Sequence, residues 1–316
     1  MEKPFISICI PAYKNKEFLG RLLDSIRIQD FKDFEVVVSD DSPDESLEEL
    51  IAAYSDFFKV YYLKNDQPLG SPANWNNAIS YAKGKWIKLM HDDDWFVDNS
   101  SLGKFAEKAK SENLSFIFSG FYKVNANTLK RTKEVIAFWD KAFLRRNPVY
   151  LLRKNYVGHP STTLILNEKT KWYDERYKWV VDIEFYIRKF RLNKRYIIID
   201  EPLVNLGIND QQITSSVFRK PEVEIPENIS LLNDISPASL RNIFAYDYYW
   251  RFIRNLSVRN TSIISKYCSN IEVPRILYFM IKQQAYLPLS MIRIGLISKT
   301  AMFLTYLWNS LNGRIK

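Results

Sequence analysis

The feature that most constrains this chain is the alternation, over its first two hundred residues, of short apolar runs with amphipathic stretches. This pattern is typical of a mainly parallel β-sheet wound with helices, because strands covered on both faces are apolar along their length. The sequence predicts strands at 5–10, 34–39, 59–63, 85–90, 115–121, 162–166 and 196–199, and helices at 17–28, 44–54, 72–83, 100–112 and 181–192. We therefore predict an α/β fold.

The pattern changes beyond about residue 216. Alternating strands give way there to aromatic and basic residues in helical segments at 240–256 and 275–312. Three prolines, Pro221, Pro226 and Pro237, indicate a linker between the two parts. The sequence thus predicts an α/β domain over 1–216 and a helical C-terminal region over 217–316.

The net charge of +9 lies in this C-terminal region. From Tyr248 onward there are ten Lys and Arg residues against one acid, Glu272, and the rest of the chain is neutral. A basic charge confined to an apolar, aromatic tail indicates an anionic membrane surface as partner, and not nucleic acid. We expect shallow insertion into the inner leaflet of the cell membrane. The alternative is a two-helix hairpin packed on the first domain.

Cysteine content and the N-terminus indicate the compartment. The two cysteines, Cys9 and Cys268, exclude a disulfide scaffold and suit a reducing environment. The first residues lack the apolar core of a signal peptide, and no stretch of eighteen residues is free of charge. We expect a cytoplasmic protein that is peripheral on the inner face of the cell membrane.

Polar residues follow three of the predicted strands, at the edge where an open α/β sheet binds its ligands. They are Pro11-Ala12-Tyr13 after the first strand, Asp40-Asp41-Ser42 after the second and His91-Asp92-Asp93-Asp94 after the fourth. Neither G-x-G-x-x-G nor G-x-x-x-x-G-K-[ST] is present, so a phosphate ligand would need to be neutralised in another way.

The aspartate run at 92–94 offers one way. Adjacent carboxylates repel each other unless a cation lies among them, and Mg²⁺ or Mn²⁺ binds carboxylates together with substrate phosphate oxygens. The alternative is a solvated acidic turn that caps the next helix. Zinc is not indicated, because the sequence has no cluster of cysteine or histidine.

Asp40 and Asp41 also allow two interpretations: a helix cap, or a carboxylate that accepts hydrogen bonds from a nucleobase or a ribose.

Four segments together resemble a known family. They are 5–13 (FISICIPAY), 34–42 (FEVVVSDDS), 70–82 (GSPANWNNAISYA) with Gly84, and 88–96 (KLMHDDDWF). In this order and spacing they are similar to the nucleotide-binding half of family 2 glycosyltransferases, which have the GT-A fold. The resemblance implies inverting transfer of a sugar from a nucleotide sugar with the help of a divalent cation. We expect a UDP-sugar as donor and a glycan or lipid-linked acceptor, which would suit a membrane-associated tail.

The resemblance also implies roles for individual residues. The nucleotide-sugar site would consist of Pro11, Ala12, Tyr13, Asp40, Asp41, Asn74, Asn76 and Asp92. Within it, Asp41 would contact the base. The aspartates after the fourth strand match the metal-binding DXD motif, with Asp93 as principal ligand flanked by Asp92 and Asp94. His91 stands where many members have an acid, and it would support the site without binding substrate.

Asp182 matches the position of the family's catalytic base, because it opens a helix that precedes a strand and the sequence EPL at 201–203. Inverting transfer needs one carboxylate to take the proton of the acceptor hydroxyl. Glu184 is the second candidate, and a first-turn acid stabilised by the helix dipole is the structural alternative for Asp182.

Two further segments bear on the resemblance. The chain departs from the family at 205–212 (NLGINDQQ), where many members carry Arg and His, so a metal ligand from that loop is not expected. His159 lies in a segment, 158–161 (GHPS), that resembles the acceptor-side loop. It would contact acceptor or phosphate, or be a loop histidine bonded to the backbone.

Two other functions compete with sugar transfer. A nucleotidyltransferase of similar fold would be expected to carry a glycine-rich basic loop after the first strand, where this chain has PAYKNKEF. A non-catalytic, nucleotide-sugar-binding subunit at the membrane is disfavoured by the complete aspartate set together with Asp182.

Overall fold

A computed structural model describes residues 3–111, 113–125, 128–168, 171–193, 195–208 and 217–315. Four parallel strands form one half of its β-sheet, in the order β3-β2-β1-β4. They are β1 (Ile6–Ala12), β2 (Phe34–Asp40), β3 (Val60–Lys64) and β4 (Trp86–Leu89). β1, β2 and β4 are buried along their whole length, as predicted for strands covered on both faces. The carboxyl ends of these three strands therefore meet at one edge of the sheet.

The other half of the sheet mixes strand directions. It contains β5 (Trp95–Phe96), β6 (Phe116–Asn125), β7 (Arg131–Glu134), β8 (Thr163–Leu166) and β9 (Tyr196–Ile208). The order continues β4-β8-β6-β9-β5, with β8 antiparallel to both of its neighbours, β6 parallel to β9, and β7 paired with β6. The predicted α/β fold class is confirmed, and antiparallel pairs enter the sheet only beyond β4.

All seven predicted strands are present, within a few residues at most ends. The sequence missed β5 and β7, because a two-residue strand and a run of exposed charged residues carry no apolar pattern. The strand predicted at 196–199 also ends too early, before Glu201 and Pro202, whereas β9 extends to Ile208. The strand continues because its register with β6 shifts near Gly120, which then pairs with Pro202.

Four helices of the first unit pack against the sheet: α1 (Lys16–Arg27), α2 (Glu48–Ala52), α3 (Ala73–Ser80) and α4 (Ser101–Ala109). α1 begins where the Asn15 side chain accepts a hydrogen bond from the Phe18 N–H at 3.0 Å. Its buried face follows the helical period, with Leu19, Leu22, Leu23 and Ile26 in the same core as the β1 and β2 side chains. All four helices were predicted, and α2 is shorter than expected.

The remaining described helices are α5 (Phe138–Arg146), α6 (Val181–Leu192), α7 (Pro221–Asp234), α8 (Ile243–Asn255), α9 (Thr261–Tyr267), α10 (Arg275–Ala285), α11 (Leu289–Ile292) and α12 (Gly295–Leu311). Short 3₁₀ turns cover Pro148–Leu152, Pro160–Thr162 and Pro237–Arg241. Within the ranges that the structure describes, no helix is long and apolar enough to cross a membrane.

The prediction of a proline linker is wrong. Pro221 occupies the first position of α7, where no backbone N–H is needed, and Pro226 lies inside the same helix. Pro237 likewise starts a 3₁₀ turn. Proline marks the start of a helix as readily as a loop, so composition alone could not separate the two cases.

Two compact units make up the chain. The first comprises Met1–Asp140, Tyr156–Glu175 and Lys189–Gln212 and holds the whole sheet. The second comprises Lys141–Asn155, Arg176–Arg188 and Ile213–Lys316. Segments 141–155 and 176–188 thus belong with the C-terminal helices, and the Tyr150 and Phe244 rings, 4.8 Å apart, form part of their shared core.

Candidate active site

The ends of β1, β2 and β4 bring the predicted residues together, as the parallel strand order requires. Asp92 Oδ2 accepts a hydrogen bond from the Tyr13 N–H at 3.2 Å, and the Ala12 carbonyl accepts one from the Asp41 N–H at 3.0 Å. Pro11 and Ala12 are buried in β1, whereas Tyr13 is half exposed. An open aromatic ring therefore stands beside the aspartate run.

Asp40 is fully buried and its carboxylate is hydrogen-bonded within the first unit. Oδ1 accepts from the Ser42 N–H at 2.7 Å, and Oδ2 accepts from the Tyr62 hydroxyl at 2.8 Å and from Lys64 Nζ at 3.5 Å. This carboxylate fixes the turn that follows β2.

Asp41 organises the loop at 65–70. Its Oδ1 accepts from Asn65 Nδ2 at 2.7 Å and from the Leu69 N–H at 3.0 Å, and Oδ2 accepts from the Gly70 N–H at 2.8 Å. Asn74 extends the network by accepting from Asn65 at 3.1 Å. Both oxygens of Asp41 thus accept hydrogen bonds from the loop that precedes α3, and Asn65, which the sequence did not single out, lies at the centre of this network.

Asn76 binds a different segment of the chain. Its Nδ2 donates to the Tyr173 carbonyl at 2.9 Å and to Glu175 Oε1 at 3.0 Å, while its Oδ1 accepts from the Tyr173 N–H at 3.1 Å. The adjacent Trp75 ring lies 4.7 Å from the His91 ring and 5.1 Å from the Tyr173 ring. α3 therefore joins the 173–175 segment to the residues that follow β4.

The three aspartates at 92–94 make different contacts. The Asp92 side chain bonds to β1, as described above. The Asp93 carbonyl accepts from Arg21 Nη2 at 3.0 Å, and a Cβ on Gly207 would overlap that carbonyl oxygen. Asp94 is fully buried, and its Oδ1 accepts from the Gly207 N–H at 3.1 Å. Glycine at position 207 is thus required by the close approach of β9 to the aspartate run.

His91, Asp94 and His159 form a cluster in which one ligand atom from each lies within 4.8 Å of the others. The two imidazole rings are 6.3 Å apart. His91 Nε2 and Asp94 Oδ2 are both buried and have no hydrogen-bond partner among the residues that the structure describes. Buried polar atoms are normally paired, so these two atoms suit a site that binds a cation or a hydrogen-bond donor.

Burial controls the protonation of this cluster. It lowers the pKa of His91 to about 4 and also lowers the pKa of His159, so both imidazoles are neutral at pH 7. Burial and repulsion from Asp93 raise the pKa of Asp94 well above its usual range, and the same two effects raise that of Asp92 to about 7. A bound cation would lower the pKa of both carboxylates, because it stabilises their ionised forms.

The donor atoms in this cluster suit a divalent ion. Neutral imidazole nitrogen and carboxylate oxygen both bind Mn²⁺ and related metals, whereas Mg²⁺ prefers oxygen alone. His91, given only a supporting role from the sequence, and His159 contribute nitrogen beside the predicted aspartates. The sequence could not show this, because the two histidines lie in different segments and meet only in the fold. Part of the 205–212 departure, residues 209–212, lies outside the described residues.

A buried lysine supports this edge and was missed from the sequence. Lys88 Nζ donates to the Ser161 carbonyl and lies 4.6 Å from the centre of the Phe105 ring. Burial lowers the pKa of Lys88 to about 7. The Ser161 hydroxyl in turn accepts from the His91 N–H at 2.9 Å. A single charge in an otherwise apolar strand was the signal that could have identified Lys88.

In the second unit, Asp182 lies in the first turn of α6 and is partly buried. Its Oδ1 has no hydrogen-bond partner among the described residues, and burial raises its pKa to about 7. Glu184, the second candidate for the base, differs because its carboxylate pairs with Arg188 at 2.6 and 3.0 Å. Asp182 thus differs from Glu184 in having a carboxylate oxygen without a partner among the described residues.

A residue of α7 fixes the approach to α6. The Glu227 carboxylate accepts from the N–H groups of Lys178, Trp179 and Val180 at 2.9, 2.8 and 3.2 Å. These donors precede the first helical residue, so Glu227 supplies from a distance the cap that the local sequence lacks. Nothing in the sequence signals this pairing.

The family model described as "Glycosyl transferase family 2" matches residues 7–173, slightly more than half of the chain. The chain belongs to glycosyl transferase family 2. This family 2 glycosyltransferase is 27% identical over 230 residues to an uncharacterized glycosyltransferase of Methanocaldococcus jannaschii, covering 71% of this chain and 77% of the relative. It is also 27% identical over 221 residues to the GalNAc(5)-diNAcBac-PP-undecaprenol beta-1,3-glucosyltransferase of Campylobacter jejuni, covering 65% and 68%.

Solved structures support the fold of this family 2 glycosyltransferase. TarS of S. aureus, residues 1–349 in complex with UDP-GlcNAc, superposes with a TM-score of 0.58 at 16% identity, covering 98% of this chain and 92% of TarS. The mannosyltransferase PcManGT of Pyrobaculum calidifontis, in complex with GDP-Man and Mn²⁺, also gives 0.58, at 14% identity and with 98% and 88% covered. The fold is therefore GT-A, with a helical C-terminal part, as the resemblance implied.

Proposed function

We propose that this glycosyltransferase moves a sugar, with inversion and with the help of a divalent metal ion, from a nucleotide sugar to a glycan or lipid-linked glycan. The observation that carries the proposal is a pair of buried atoms at the strand edge of a family 2 chain, Asp94 Oδ2 and His91 Nε2, which have no partner in the part of the chain that the structure describes. A UDP-sugar is the preferred donor class. The TarS complex with UDP-GlcNAc supports this choice, and the GDP-Man complex of PcManGT makes GDP-sugars the comparison to test.

In this proposal the nucleotide binds along the ends of β1 and β2. Pro11 and Ala12 line the base and ribose pocket, and the half-exposed ring of Tyr13 offers an aromatic face to the base. Asp41 would contact the base through its remaining lone pairs while it holds the 65–70 loop. Asp40, Asn74, Asn76 and Asp92 complete the site.

The metal ion, Mn²⁺ or Mg²⁺, would be held by Asp93 as principal carboxylate with Asp94 and His91 beside it. Asp92 flanks this set, because one of its oxygens already bonds to Tyr13. When bound, such an ion stabilises the negative charge on the departing diphosphate. Arg21 fixes the Asp93 main chain through its hydrogen bond to the carbonyl, and it stacks on Trp95 at 3.7 Å.

Asp182 is proposed as the general base that takes the proton of the acceptor hydroxyl. A base works best when its pKa lies near the working pH, and a value of about 7 meets that condition. Glu184 is poorly suited, since its ion pair with Arg188 holds the carboxylate in place and stabilises its charge.

The chain's chemistry and its relatives support proposals for the acceptor and the location. The undecaprenol-linked acceptor in the name of the Campylobacter jejuni relative supports a lipid-linked acceptor here. We propose that residues 1–216 carry the transfer, and that residues 217–316 attach the protein peripherally to the anionic, cytoplasmic face of the membrane.

The test is a thermal-shift screen of UDP- and GDP-sugars with and without Mn²⁺, followed by a transfer assay on polyprenyl-diphosphate sugars. A matching donor should raise Tm by mass action only when metal is present. Transfer should release a nucleoside diphosphate and invert the anomeric centre. Release of pyrophosphate from a nucleoside triphosphate would instead identify a nucleotidyltransferase, and donor binding without turnover would identify a non-catalytic subunit.

A further inference from the structure

The last described helix, α12, buries polar side chains and exposes apolar ones, which is the opposite of an ordinary surface helix. The side chains that it buries include Ser298, Met302 and Asn309. The side chains that it exposes include Leu296, Phe303, Leu304, Leu307, Trp308 and Leu311. A helix on the surface of a water-soluble domain normally buries its apolar face, so this arrangement requires a separate explanation.

Hydrogen bonds fix the buried polar side of α12 in place. Ser298 Oγ accepts from Trp250 Nε1 at 3.1 Å and from Arg254 Nη1 at 3.0 Å. Asn309 Nδ2 donates to the Tyr246 hydroxyl at 2.8 Å and to Gln283 Oε1 at 3.1 Å. These partners lie on α8 and α10. Rotating the helix to bury its leucines would break all four bonds and leave buried polar atoms unpaired.

The exposed side carries an apolar stripe that only Thr300 interrupts among the described residues of this face. Positions 296, 303, 304, 307, 308 and 311 recur at the spacing of one helical face. Leu296 and Leu311, at its two ends, are 79% and 86% exposed, and Trp308 is 56% exposed. The 17 residues of α12 extend over about 25 Å, which is shorter than the apolar thickness of a bilayer. The stripe is therefore suited to lying along an apolar surface, not to crossing it.

The segment that contains the stripe carries charge of one sign. Residues 273–316 contain no acid and six basic residues: Arg275, Lys282, Arg293, Lys299, Arg314 and Lys316. A second copy of the chain on this face would bring like charges together across a two-fold axis, whereas anionic lipid head groups would neutralise them. Basic residues with exposed Leu, Phe and Trp are the composition of helices that lie in the membrane interface.

We propose that the exposed face of α12, defined by Leu296, Phe303, Leu304, Leu307, Trp308 and Leu311, inserts into the surface of an anionic bilayer with the helix axis parallel to the membrane. This inference deepens the membrane attachment proposed above and rests on it. It identifies one helix face as the attachment element. It does not depend on the identity of the donor or on the metal.

The test is co-sedimentation of the full chain with vesicles of phosphatidylcholine alone, or of phosphatidylcholine and phosphatidylglycerol in equal parts, without donor or acceptor. The double variant Leu304→Asp/Leu307→Asp should bind the mixed vesicles at least tenfold more weakly. Leu311→Asp, at the exposed end of the helix, serves as a second variant. The matched control is Leu192→Asp, which changes a leucine that is 72% exposed in the first unit, and it should bind like wild type.

Binding should also be at least tenfold weaker to neutral vesicles, and weaker in about 1 M salt, where the Debye length is about 3 Å. Equal binding of the wild type and of both α12 variants would overturn the proposal. Light scattering would also overturn the proposal if the wild type were an oligomer without lipid and the double variant a monomer. A second copy of the chain would then cover the stripe. Because the vesicle assay contains no substrate, a negative result would not bear on the proposal of sugar transfer. A loss of donor turnover would likewise not bear on the proposal of membrane binding.

Discussion

The Tyr13 main-chain N–H donates a hydrogen bond to Asp92 Oδ2 over 3.2 Å and so ties the end of β1 to the aspartate run after β4. One oxygen of Asp92 is therefore occupied within the protein, while Asp94 Oδ2 has no partner among the described residues. Three adjacent aspartates that are equivalent in the sequence thus differ in what they can bind. The first prediction follows from this difference.

We expect Asp93→Ala to reduce transfer by about a hundredfold or more and to weaken nucleoside diphosphate binding, because the principal carboxylate for the metal is lost. Asp92→Asn should lose less activity than Asp93→Ala, since an amide oxygen can still accept from the Tyr13 N–H. Initial rates and calorimetric titration with UDP and Mn²⁺ measure both effects. Normal turnover of Asp93→Ala in metal-depleted buffer would refute the metal assignment.

Mn²⁺ should support transfer better than Mg²⁺, because an imidazole nitrogen lies among the proposed ligands. His91→Ala should weaken Mn²⁺ binding by about tenfold to a hundredfold and reduce the preference for Mn²⁺ over Mg²⁺. Calorimetric titration with each metal gives the affinities without an activity assay. Asp56→Asn, on the exposed surface, is the control, and an unchanged Mn²⁺ affinity in His91→Ala would exclude that imidazole as a ligand.

Asp182→Asn should lower kcat by about 10²- to 10⁴-fold while the affinity for the donor stays within a few-fold. The amide keeps the size of the side chain but cannot take a proton. In the wild type, kcat should rise with pH through about 7 as Asp182 ionises. Glu184→Gln is the matched control in the same helical turn, and a loss of kcat confined to that variant would move the base to Glu184.

The raised pKa of Asp182 also makes stability depend on pH. The unfolded chain loses this proton near the usual value of 3.8 and the folded protein near 7, so the folded state binds the proton more tightly. The free energy of unfolding therefore falls as pH rises from about 4 to 7. Asp182→Asn removes this loss, so its stability relative to the wild type should increase across that window, by on the order of 4 kcal/mol at pH 8.

Urea denaturation at several pH values measures this difference. Other groups with raised pKa values are present in both proteins, so their contributions cancel. The two proteins should be closest in stability at pH 4 and below, where Asp182 is protonated in both states. A constant offset at every pH would show that Asp182 titrates normally in the folded protein.

Glu227→Ala should lower the free energy of unfolding by about 2 kcal/mol, because three N–H groups before α6 lose a charged acceptor. Glu222 is an exposed acid in the first turn of α7, the helix that also carries Glu227. It provides the control variant Glu222→Ala, which should change stability little. Urea denaturation followed by circular dichroism measures both. Equal stability of the two variants would show that the cap contributes nothing.

Much of the site's position could be predicted without coordinates. Apolar runs identified the strands, and parallel strands place their carboxyl ends at one edge, so Tyr13, Asp41 and Asp92 had to lie near each other. The orientation of each side chain could not be predicted. Asp41 bonds to the 65–70 loop and Asn76 to the 173–175 segment, because those loops pack where the chain's long-range contacts put them.

The sequence by itself determined the α/β class, the family, the strand edge that carries the aspartates and the basic, apolar character of the tail. These properties depend on which residue types recur along the chain and at what period. Only the tertiary structure brought His91 and His159 together, paired Glu227 with the start of α6 and turned the apolar side of α12 outward. Each of these depends on contacts between segments far apart in the chain, and periodicity within one segment carries no information about its distant partner.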